Sequence, residues 1–339
     1  MFKKAEMMIL DKEKIKKIFV FSLSNIGDVV LTFPVIDILK RDFPQAQLDV
    51  AVGPKAVSLL QRNELINDVY IFNKQLSWKE QWQWVKGLRK NRYDLFVDLR
   101  NTMVPLLVGP AYRTSLFMTR LKNGHMLHQH LHRLHTVYSY GEQEAEKISL
   151  GMTADDRAFI DEKLLALPEG EPLIILSPGA ADQNKRWPAA NFAELCHILF
   201  EKYHAQIILA GDNDDKEIAQ TIVKKLTSHP ALQDWTGQTT LPRLGCLISK
   251  SVMVITNDSA PMHLASYLNA PTLALFGPTN PTHYGPWGDA CFYIKKGDAC
   301  QRCRDRKAIK PHTCMESIAV REVADSFSIE NDKVIFKRI

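Results

Sequence analysis

The stretch Val252–Gly277, "VMVITNDSAPMHLASYLNAPTLALFG", contains two apolar runs separated by a polar elbow and a segment with helical spacing. The runs "VMVIT" and "TLALF" are short and continuously apolar, which is typical of parallel strands covered on both faces. Parallel strands joined by a helix form a βαβ unit. This stretch therefore predicts an α/β fold, and it places the elbow "NDSAPMHL" directly after a strand.

The same alternation of strand and helix recurs along both halves of the chain. In the second half, "PLIILS" and "AQIILAG" predict strands, while "PAANFAELCHILFEKY" and "DDKEIAQTIVKKL" predict helices. In the first half, "KKIFVFS", "QLDVAV", "DVYIF" and "YDLFVDL" predict strands, and "VVLTFPVIDILKRDF" has helical spacing. We therefore expect two doubly wound, Rossmann-like domains.

The length of 339 residues suits two such domains. We expect an extension at residues 1–14, a first domain at 15–160, a linker at 161–171 and a second domain at 172–339. Two doubly wound domains that face each other form a cleft, and ligands of such sheets lie beyond the carboxyl ends of the strands. Functional residues are therefore expected in the elbows that follow strands.

Composition and charge restrict the location and the partners. The chain has no apolar run of about 18 residues that would span a membrane, and its charged first residues lack a signal-peptide core. We expect a cytoplasmic protein with reduced cysteines. The segment Lys295–Lys310 carries seven basic and two acidic residues. It is either a solvated basic loop or a contact for an anionic partner such as a phosphate, a nucleic acid or a membrane.

The first elbow, "SLSNIGD", places Asp28 in the first turn of a predicted helix. Asp28 is either an acid stabilised by the helix dipole or a general base that faces the cleft. The second elbow, "SPGAADQNKRWP", carries Lys185 just before a helix start. This arrangement fits a diphosphate site, although an ordinary basic loop is the alternative. Neither elbow contains GxGxxG or a P-loop motif.

The third elbow is the one inside Val252–Gly277. Asp258 and Ser259 occupy positions where a helix N-cap belongs, and Pro261 suits the first turn. Capping does not account for His263, which is either a core histidine or a contact to a phosphate or sugar. The small Ala260 would let a ligand approach the backbone, which favours the contact.

Three long motifs resemble the ADP-heptose:lipopolysaccharide heptosyltransferases: "SLSNIGDVVLTFPVIDILKRDFPQAQLDVAV", "SPGAADQNKRWPAANFAEL" and "GQTTLPRLGCLISKSVMVITNDSAPMHLASYLNAPTLALFGPTNPTHYGPWG". The last keeps a D-[ST]-[GA]-P-x-H core, and the resemblance covers most of residues 15–325. It implies a GT-B fold, in which two Rossmann-like domains face a central cleft. It also implies an inverting transfer of heptose from ADP-heptose that requires no cofactor.

The resemblance assigns roles to single residues. Asp28 matches the general base that deprotonates the acceptor hydroxyl, and Lys185 matches the lysine that neutralises the donor diphosphate. The other donor-binding candidates are Ser177, Thr236, Gly237, Thr239, Asp258, Ser259, Ala260 and His263, with Asp212 and Asn213 as weaker candidates near the ribose. Asp212-Asn213-Asp214 has the spacing of a metal-binding DxD, but the resemblance points to metal-independent chemistry.

The implied acceptor is an anionic, lipid-linked oligosaccharide at the inner membrane, met by a monomer that binds the membrane peripherally. Arg113 matches a family arginine in a "YR" pair, and Arg120 and Lys122 are further acceptor candidates. All three lie in Tyr112–His135, which contains four Arg or Lys and five His. These histidines belong either to an acceptor surface or to an amphipathic segment without a ligand.

The cysteines near the carboxyl terminus allow two interpretations. Cys300, Cys303, His312 and Cys314 could hold a structural zinc ion, or the thiols could simply be reduced. The absence of a second CxxC in the sequence favours reduced thiols.

Two other functions remain open. A GT-B transferase could use a different nucleotide sugar or acceptor, and a non-catalytic protein could bind a nucleotide or sugar phosphate. A binder has no use for a base at Asp28. Nucleic acid is not expected as a partner, because the mild basicity comes without interleaved aromatic residues.

Overall fold

The computed structural model describes residues 10–337 except 118–120, 122–123, 142, 169, 228, 298–299 and 305–312. The chain divides into two compact units at Gly151 and Met152. The helix Ala154–Leu164 packs within the second unit, where the Asp156 carboxylate lies 3.3 Å from Arg243 Nε. The sequence had placed most of this helix at the end of the first domain.

The first unit contains a five-stranded parallel sheet in the order β3-β2-β1-β4-β5. The strands are β1 (Lys17–Phe21), β2 (Gln47–Val52), β3 (Asp68–Ile71), β4 (Leu95–Asp98) and β5 (Tyr112–Arg113). The helices are α1 (Ile26–Val30), α2 (Phe33–Asp42), α3 (Trp78–Lys90), α4 (Val104–Val108) and α5 (Met126–His135), with short 3-10 turns at Lys12–Lys14 and Pro54–Leu59.

The predicted helix "VVLTFPVIDILKRDF" is broken into α1 and α2. Pro34 lies in the first turn of α2, where its missing N–H costs nothing, and Thr32 occupies the N-cap position. The Thr32 hydroxyl donates to the Val29 carbonyl over 2.6 Å and lies 2.7 Å from the Ser22 hydroxyl. The break therefore fixes the short α1, which carries Asp28, against the end of β1.

The second unit contains a six-stranded parallel sheet in the order β11-β10-β9-β6-β7-β8. The strands are β6 (Leu173–Ser177), β7 (Gln206–Leu209), β8 (Leu232–Asp234), β9 (Met253–Asn257), β10 (Thr272–Phe276) and β11 (Cys291–Lys295). A two-stranded antiparallel hairpin of β12 (Phe327–Glu330) and β13 (Lys333–Phe336) follows; the sequence patterns did not indicate it.

The helices of this unit connect the strands. They are α6 (Ala154–Leu164), α7 (Ala189–Tyr203), α8 (Lys216–Lys225), α9 (Leu241–Ile248), α10 (Ala260–Tyr267), α11 (Pro281–Tyr284), α12 (Gln301–Arg304) and α13 (Val320–Asp325), with 3-10 turns at Gln183–Lys185 and Asn213–Asp215. No helix in the described part of the chain is both long and apolar enough to cross a membrane.

Both sheets are covered on two faces, as their continuous apolar strands predict. In the second sheet, Ile174 and Ile255 pack with α7, α8 and α13 in one core cluster. Ala274 packs with Met262 of α10 in another. Alternate residues of a strand point to opposite faces, so both sets must be apolar.

Each sheet reverses its strand order once, between β1 and β4 in the first unit and between β6 and β9 in the second. The loops after these neighbouring strands diverge and leave a crevice at the carboxyl edge, where doubly wound sheets bind ligands. The strand order thus places the first elbow at one crevice and the second and third elbows at the other.

Gly53 permits the close approach of the first elbow to the loop after β2. A Cβ atom at Gly53 would lie 2.6 Å from both the Cα and the carbonyl oxygen of Ser24. The Gly53 amide also donates to the Leu23 carbonyl over 3.0 Å. A side chain at Gly53 must therefore displace the backbone that precedes Asp28.

We predict that Gly53→Ala lowers the free energy of unfolding by about 1–3 kcal/mol, because backbone atoms cannot yield as a flexible side chain can. Gly87→Ala is the matched control. A Cβ at Gly87 meets nothing within 4 Å in the exposed helix α3, and the change should stabilise by about 0.5–1 kcal/mol. Urea denaturation measures both; equal stability of the two variants would contradict the proposed crowding.

Candidate functional site

The crevice of the second sheet is organised by Asn257, the last residue of β9. Its Oδ1 accepts from the Trp187 amide over 3.1 Å, and its Nδ2 donates to the Pro178 carbonyl over 2.7 Å. The side chain is fully buried. These two bonds fix both ends of the loop between β6 and α7, which carries Lys185. Asn257 was not among the site residues predicted from the sequence, although its place at a strand end was an available signal.

Lys185 and Asp258 form an ion pair at this crevice. Lys185 Nζ lies 2.8 Å from Asp258 Oδ2, and the two side chains are 26% and 6% exposed. The Thr279 hydroxyl donates to the same oxygen over 2.6 Å. Asp258 therefore holds the lysine at the entrance of the crevice, where the ammonium group keeps donors for an anion. Thr279 was also missed; it follows β10, the next strand of the sheet.

The start of α10 lacks the side-chain cap that the sequence suggested. Ser259 occupies the N-cap position in an extended conformation, but its hydroxyl contacts the Thr256 hydroxyl at 3.2 Å and the Asn257 carbonyl at 3.3 Å. Capping thus explains neither Ser259 nor Asp258. In the first turn of α10, Pro261 has no N–H and the Met262 amide donates to the Ser259 carbonyl over 3.2 Å. The Ala260 amide is left for an anion next to the lysine.

His263 is 6% exposed within α10, and its ring lies 5.9 Å from that of Trp287. The residue is both packed in the core and placed one turn behind the helix start. The structure brings together the predicted residues Lys185, Asp258, Ser259, Ala260 and His263 around the third elbow.

The loops after β7 and β8 lie beside this crevice. Asp212 caps the 3-10 turn Asn213–Asp215 by accepting from the Asp214 amide over 2.9 Å, so capping accounts for its carboxylate. Gly237 has a φ of +73°, and its amide donates to the Gly211 carbonyl over 2.9 Å. This contact joins the two loops.

Two predicted donor-site hydroxyls stand out in this region. The hydroxyls of Ser177, at the end of β6, and of Thr236, after β8, are buried without a hydrogen-bond partner among the described residues. Buried polar atoms are rarely left in this state. Thr239 is half-buried in the loop after β8.

Asp215 packs against glycines of two loops. A Cβ atom added at Gly179 would lie 2.1 Å from the Asp215 carboxylate, and a Cβ atom added at Gly211 would lie 2.7 Å from it. Arg186 Nη2 lies 3.7 Å from Asp215 Oδ1, while Arg186 Nε donates to the Ala180 carbonyl over 2.8 Å. Burial raises the pKa of Asp215, and the hydrogen bond from the Asp212 amide and the Arg186 charge act in the opposite direction. The pair joins the loop after β6 to the loop after β7.

The crevice of the first sheet carries Asp28. It lies half-buried in the first turn of α1, and Asn25 donates to its Oδ2 over 2.9 Å. Arg100, from the loop after β4, donates to the Ser22 carbonyl over 3.2 Å and to the Ser24 hydroxyl over 3.1 Å. Its guanidinium also lies over the Phe21 ring at 4.9 Å. The loop after β4 therefore braces the elbow that positions Asp28.

Asp98, the last residue of β4, organises the bracing loop. Its carboxylate accepts from the Arg100 amide over 2.8 Å and from the Thr102 amide over 2.6 Å. Burial raises the pKa of Asp98, and the hydrogen bonds from Thr102 and Arg100 act in the opposite direction. Arg133 of α5 donates to the Asp98 carbonyl over 3.2 Å. Neither Asp98 nor Arg100 was singled out from the sequence.

The predicted acceptor residues are only partly described. Arg113 ends the edge strand β5 and is exposed, whereas Arg120 and Lys122 lie outside the described residues. The histidine-rich segment forms the helix α5. Burial lowers the pKa of His130 to about 4, so this histidine is neutral at physiological pH and belongs to the core.

The three described cysteines of the carboxyl-terminal cluster come together. The Sγ atoms of Cys300, Cys303 and Cys314 all lie within 4.8 Å of one another. His312 lies outside the described residues.

The chain matches the model of glycosyltransferase family 9 (heptosyltransferase) over residues 112–313. The chain belongs to this family. Lipooligosaccharide heptosyltransferase 2 of Haemophilus ducreyi is 30% identical over 82% of this chain and 88% of its own. Lipopolysaccharide heptosyltransferase 3 of Escherichia coli is 28% identical over 80% of this chain and 86% of its own.

Solved structures show the same fold. ADP-heptose LPS heptosyltransferase II of E. coli matches with a TM-score of 0.71 and 25% identity over 91% of this chain and 96% of that chain. A family 9 glycosyltransferase of Veillonella parvula matches with a TM-score of 0.76 and 22% identity over 91% and 95%. This family 9 glycosyltransferase therefore has the expected GT-B fold.

We predict that Asn257→Ala weakens ADP binding and lowers stability, because it leaves the Pro178 carbonyl and the Trp187 amide of the lysine loop without their partners. Each buried orphan costs about 1–3 kcal/mol. Thermal unfolding and calorimetric titration with ADP measure the two effects. Gln183→Ala, an exposed change in the same loop, is the control. Unchanged ADP affinity in Asn257→Ala would show that the loop does not depend on this side chain.

Proposed function

We propose that this enzyme transfers heptose from ADP-heptose to the inner core of lipopolysaccharide with inversion. The observation that carries the proposal is the Lys185–Asp258 pair beside the uncapped start of α10 at the switch point of the second sheet. This arrangement suits a diphosphate. Heptose and lipopolysaccharide are proposed as the transferred sugar and the acceptor because the relatives are named lipopolysaccharide or lipooligosaccharide heptosyltransferases.

On the donor side, we assign the diphosphate to Lys185 and to the Ala260 amide at the start of α10. A lysine and a helix N-terminus stabilise the negative charge that develops on the leaving ADP, without a metal ion. Asp258 and Thr279 hold the lysine in place. The other donor-site candidates would contact the nucleoside and the sugar; they are Ser177, Thr236, Gly237, Thr239 and His263. Asp212 and Asn213 are weaker candidates, because capping already accounts for Asp212.

On the acceptor side, we assign the general base to Asp28. The acceptor hydroxyl gives its proton to the Asp28 carboxylate as its oxygen attacks the anomeric carbon, and the bond from that carbon to the ADP oxygen breaks. Asn25 orients one carboxylate oxygen through its 2.9 Å hydrogen bond and leaves the carboxylate half-exposed. A positioned base of this kind accelerates transfer by about 10²–10⁴-fold.

We predict that Asp28→Asn lowers kcat by about 10²–10⁴-fold and leaves ADP affinity unchanged, since the two sites lie in different units. Lys185→Ala should instead weaken ADP binding and also lower kcat. Asp68→Asn, at the amino end of β3, is the matched control and should retain activity. The assay is ADP release with ADP-heptose and a truncated core acceptor. Near-normal turnover of Asp28→Asn would exclude Asp28 as the base.

We further propose that the enzyme acts as a peripheral protein on the cytoplasmic face of the inner membrane, and that α3 contacts anionic lipid. Trp78 and Trp82 are 74% and 44% exposed, one turn apart on α3. Lys79 and Lys86 lie over their rings, each 5.7 Å from the centroid. The helix carries four basic residues and one acidic residue. Exposed tryptophans flanked by cations are typical of membrane-interface helices.

We predict that the double variant Trp78→Ser, Trp82→Ser loses most binding to phosphatidylglycerol-containing vesicles, and that salt weakens binding of the unaltered enzyme. Vesicle co-sedimentation measures both. Leu165→Ser removes another exposed apolar side chain, 82% exposed in the second unit, and serves as control. If the double variant sediments like the control, α3 is not the lipid contact.

Another nucleotide sugar or acceptor glycan remains the alternative, because the diphosphate site recognises no sugar by itself. Comparing ADP-heptose with UDP- and GDP-sugars as donors separates the two. Arg113, Arg120 and Lys122 are the proposed acceptor contacts, and their assignment predicts a salt-sensitive acceptor KM.

A further inference from the structure

The cysteine cluster lies at the carboxyl end of β11 and contains none of the residues assigned to transfer. Cys300 directly precedes α12, Cys303 lies within it, and Cys314 follows in the segment that leads to α13. Cys300 and Cys314 are buried, and Cys303 is half-buried. Residues from two separate segments thus bring three thiols together in one place.

We propose that Cys300, Cys303 and Cys314 bind one divalent transition-metal ion through three thiolates. All three Sγ atoms lie within 4.8 Å of one another, and the Cys303 and Cys314 sulfurs are 3.3 Å apart. Tetrahedral coordination with metal–sulfur bonds of about 2.3 Å places thiolate sulfurs roughly 3.8 Å apart. This value lies between the 3.3 Å and 4.8 Å given above for the cluster. A disulfide needs a sulfur separation of about 2.05 Å and would leave the third thiol unused.

The charge around the cluster suits this site. Each thiol releases its proton to solvent on binding, so three thiolates and a divalent ion carry a net charge of −1. Lys295 and Lys296 line a cavity of about 260 Å³ together with Cys300 and Cys314. Lys296 pairs with Glu322 over 2.8 Å, and Lys295 is exposed beside the cluster, where its charge favours thiolates. We assign the fourth coordination position to a water molecule.

The segment that carries Cys314 supports both loops of the nucleotide crevice. Met315 packs closely on Gly277: a Cβ atom added at Gly277 would lie 2.8 Å from the Met315 Sδ. Gly277 lies two residues before Thr279. The Ile318 carbonyl accepts from the buried Trp187 indole over 3.0 Å, next to the lysine loop. A metal that joins Cys314 to α12 therefore stiffens the support of Thr279 and Lys185. Its role is structural.

The test is metal analysis of the full-length, untagged enzyme purified under reducing conditions with zinc and iron in the medium. We expect close to one zinc or iron per chain in the unaltered enzyme and in Cys291→Ser, a half-buried cysteine outside the cluster. Cys303→Ser should lose most of the metal. Less than about a tenth of an equivalent in the unaltered enzyme, or equal content in Cys303→Ser, overturns the proposal.

Two measurements on the unaltered chain need no variant to fold. Cobalt added to the metal-free enzyme should give a thiolate-to-cobalt charge-transfer band, and metal removal by chelation should lower Tm by at least about 4 °C. Absence of the band, or a Cys303–Cys314 disulfide found by mass spectrometry in the freshly purified protein, overturns the proposal. None of these readouts depends on heptosyl transfer, so the two proposals fail separately.

Discussion

The carboxamide of Asn257 is the constraint on which the crevice of the second sheet depends. It ends a fully buried strand, so the chain cannot shift there without losing core packing. Its two hydrogen bonds fix the loop that carries Lys185 at both ends. The next residue, Asp258, then forms an ion pair with Lys185, which lies in the loop after the neighbouring strand β6. The flexible Lys185 side chain is thereby held in one position. Its conformational entropy is already lost in the folded protein, so a ligand that bound there would not have to order it.

The two units solve the same problem with different residues. In the first, Arg100 braces the elbow before Asp28, and the buried Asp98 carboxylate orders the loop that carries Arg100. In the second, Asp215 and Arg186 join the loops after β6 and β7. In both units an aspartate carboxylate lies beside the crevice. The Asp98 carboxylate accepts hydrogen bonds from backbone amides, and the Asp215 carboxylate lies beside the Arg186 guanidinium. A buried charge is stable only under these conditions, and it then holds the backbone rigidly.

Local sequence predicted the strands and the principal helices because apolar runs and helical periodicity are properties of neighbouring residues. It also placed Asp28, Lys185 and Asp258 after strands, where the structure has them. It failed where a residue acts through a distant partner. Asn257 is bonded to residues 70 and 79 positions away. The helix that contains "VLTFPV" is broken at Thr32, whose hydroxyl lies 2.7 Å from that of Ser22, ten residues earlier in the chain. The expected N-cap at Ser259 is a different case, because its hydroxyl contacts Thr256 and Asn257, which are close neighbours in the chain.

The sequence by itself determined the α/β class, the two doubly wound halves and the family to which the long motifs point, because these follow from short-range patterns. Only the tertiary structure decided which of the predicted residues lie close together. Strand order brings β6 beside β9 and β1 beside β4, and only this order turns separate elbows into shared crevices. The cysteine cluster follows the same rule: a CxxC half-site is visible in the sequence, but the fold brings Cys314 to it. Distances between side chains remote in the chain are set by sheet pairing and packing, and no local pattern encodes them.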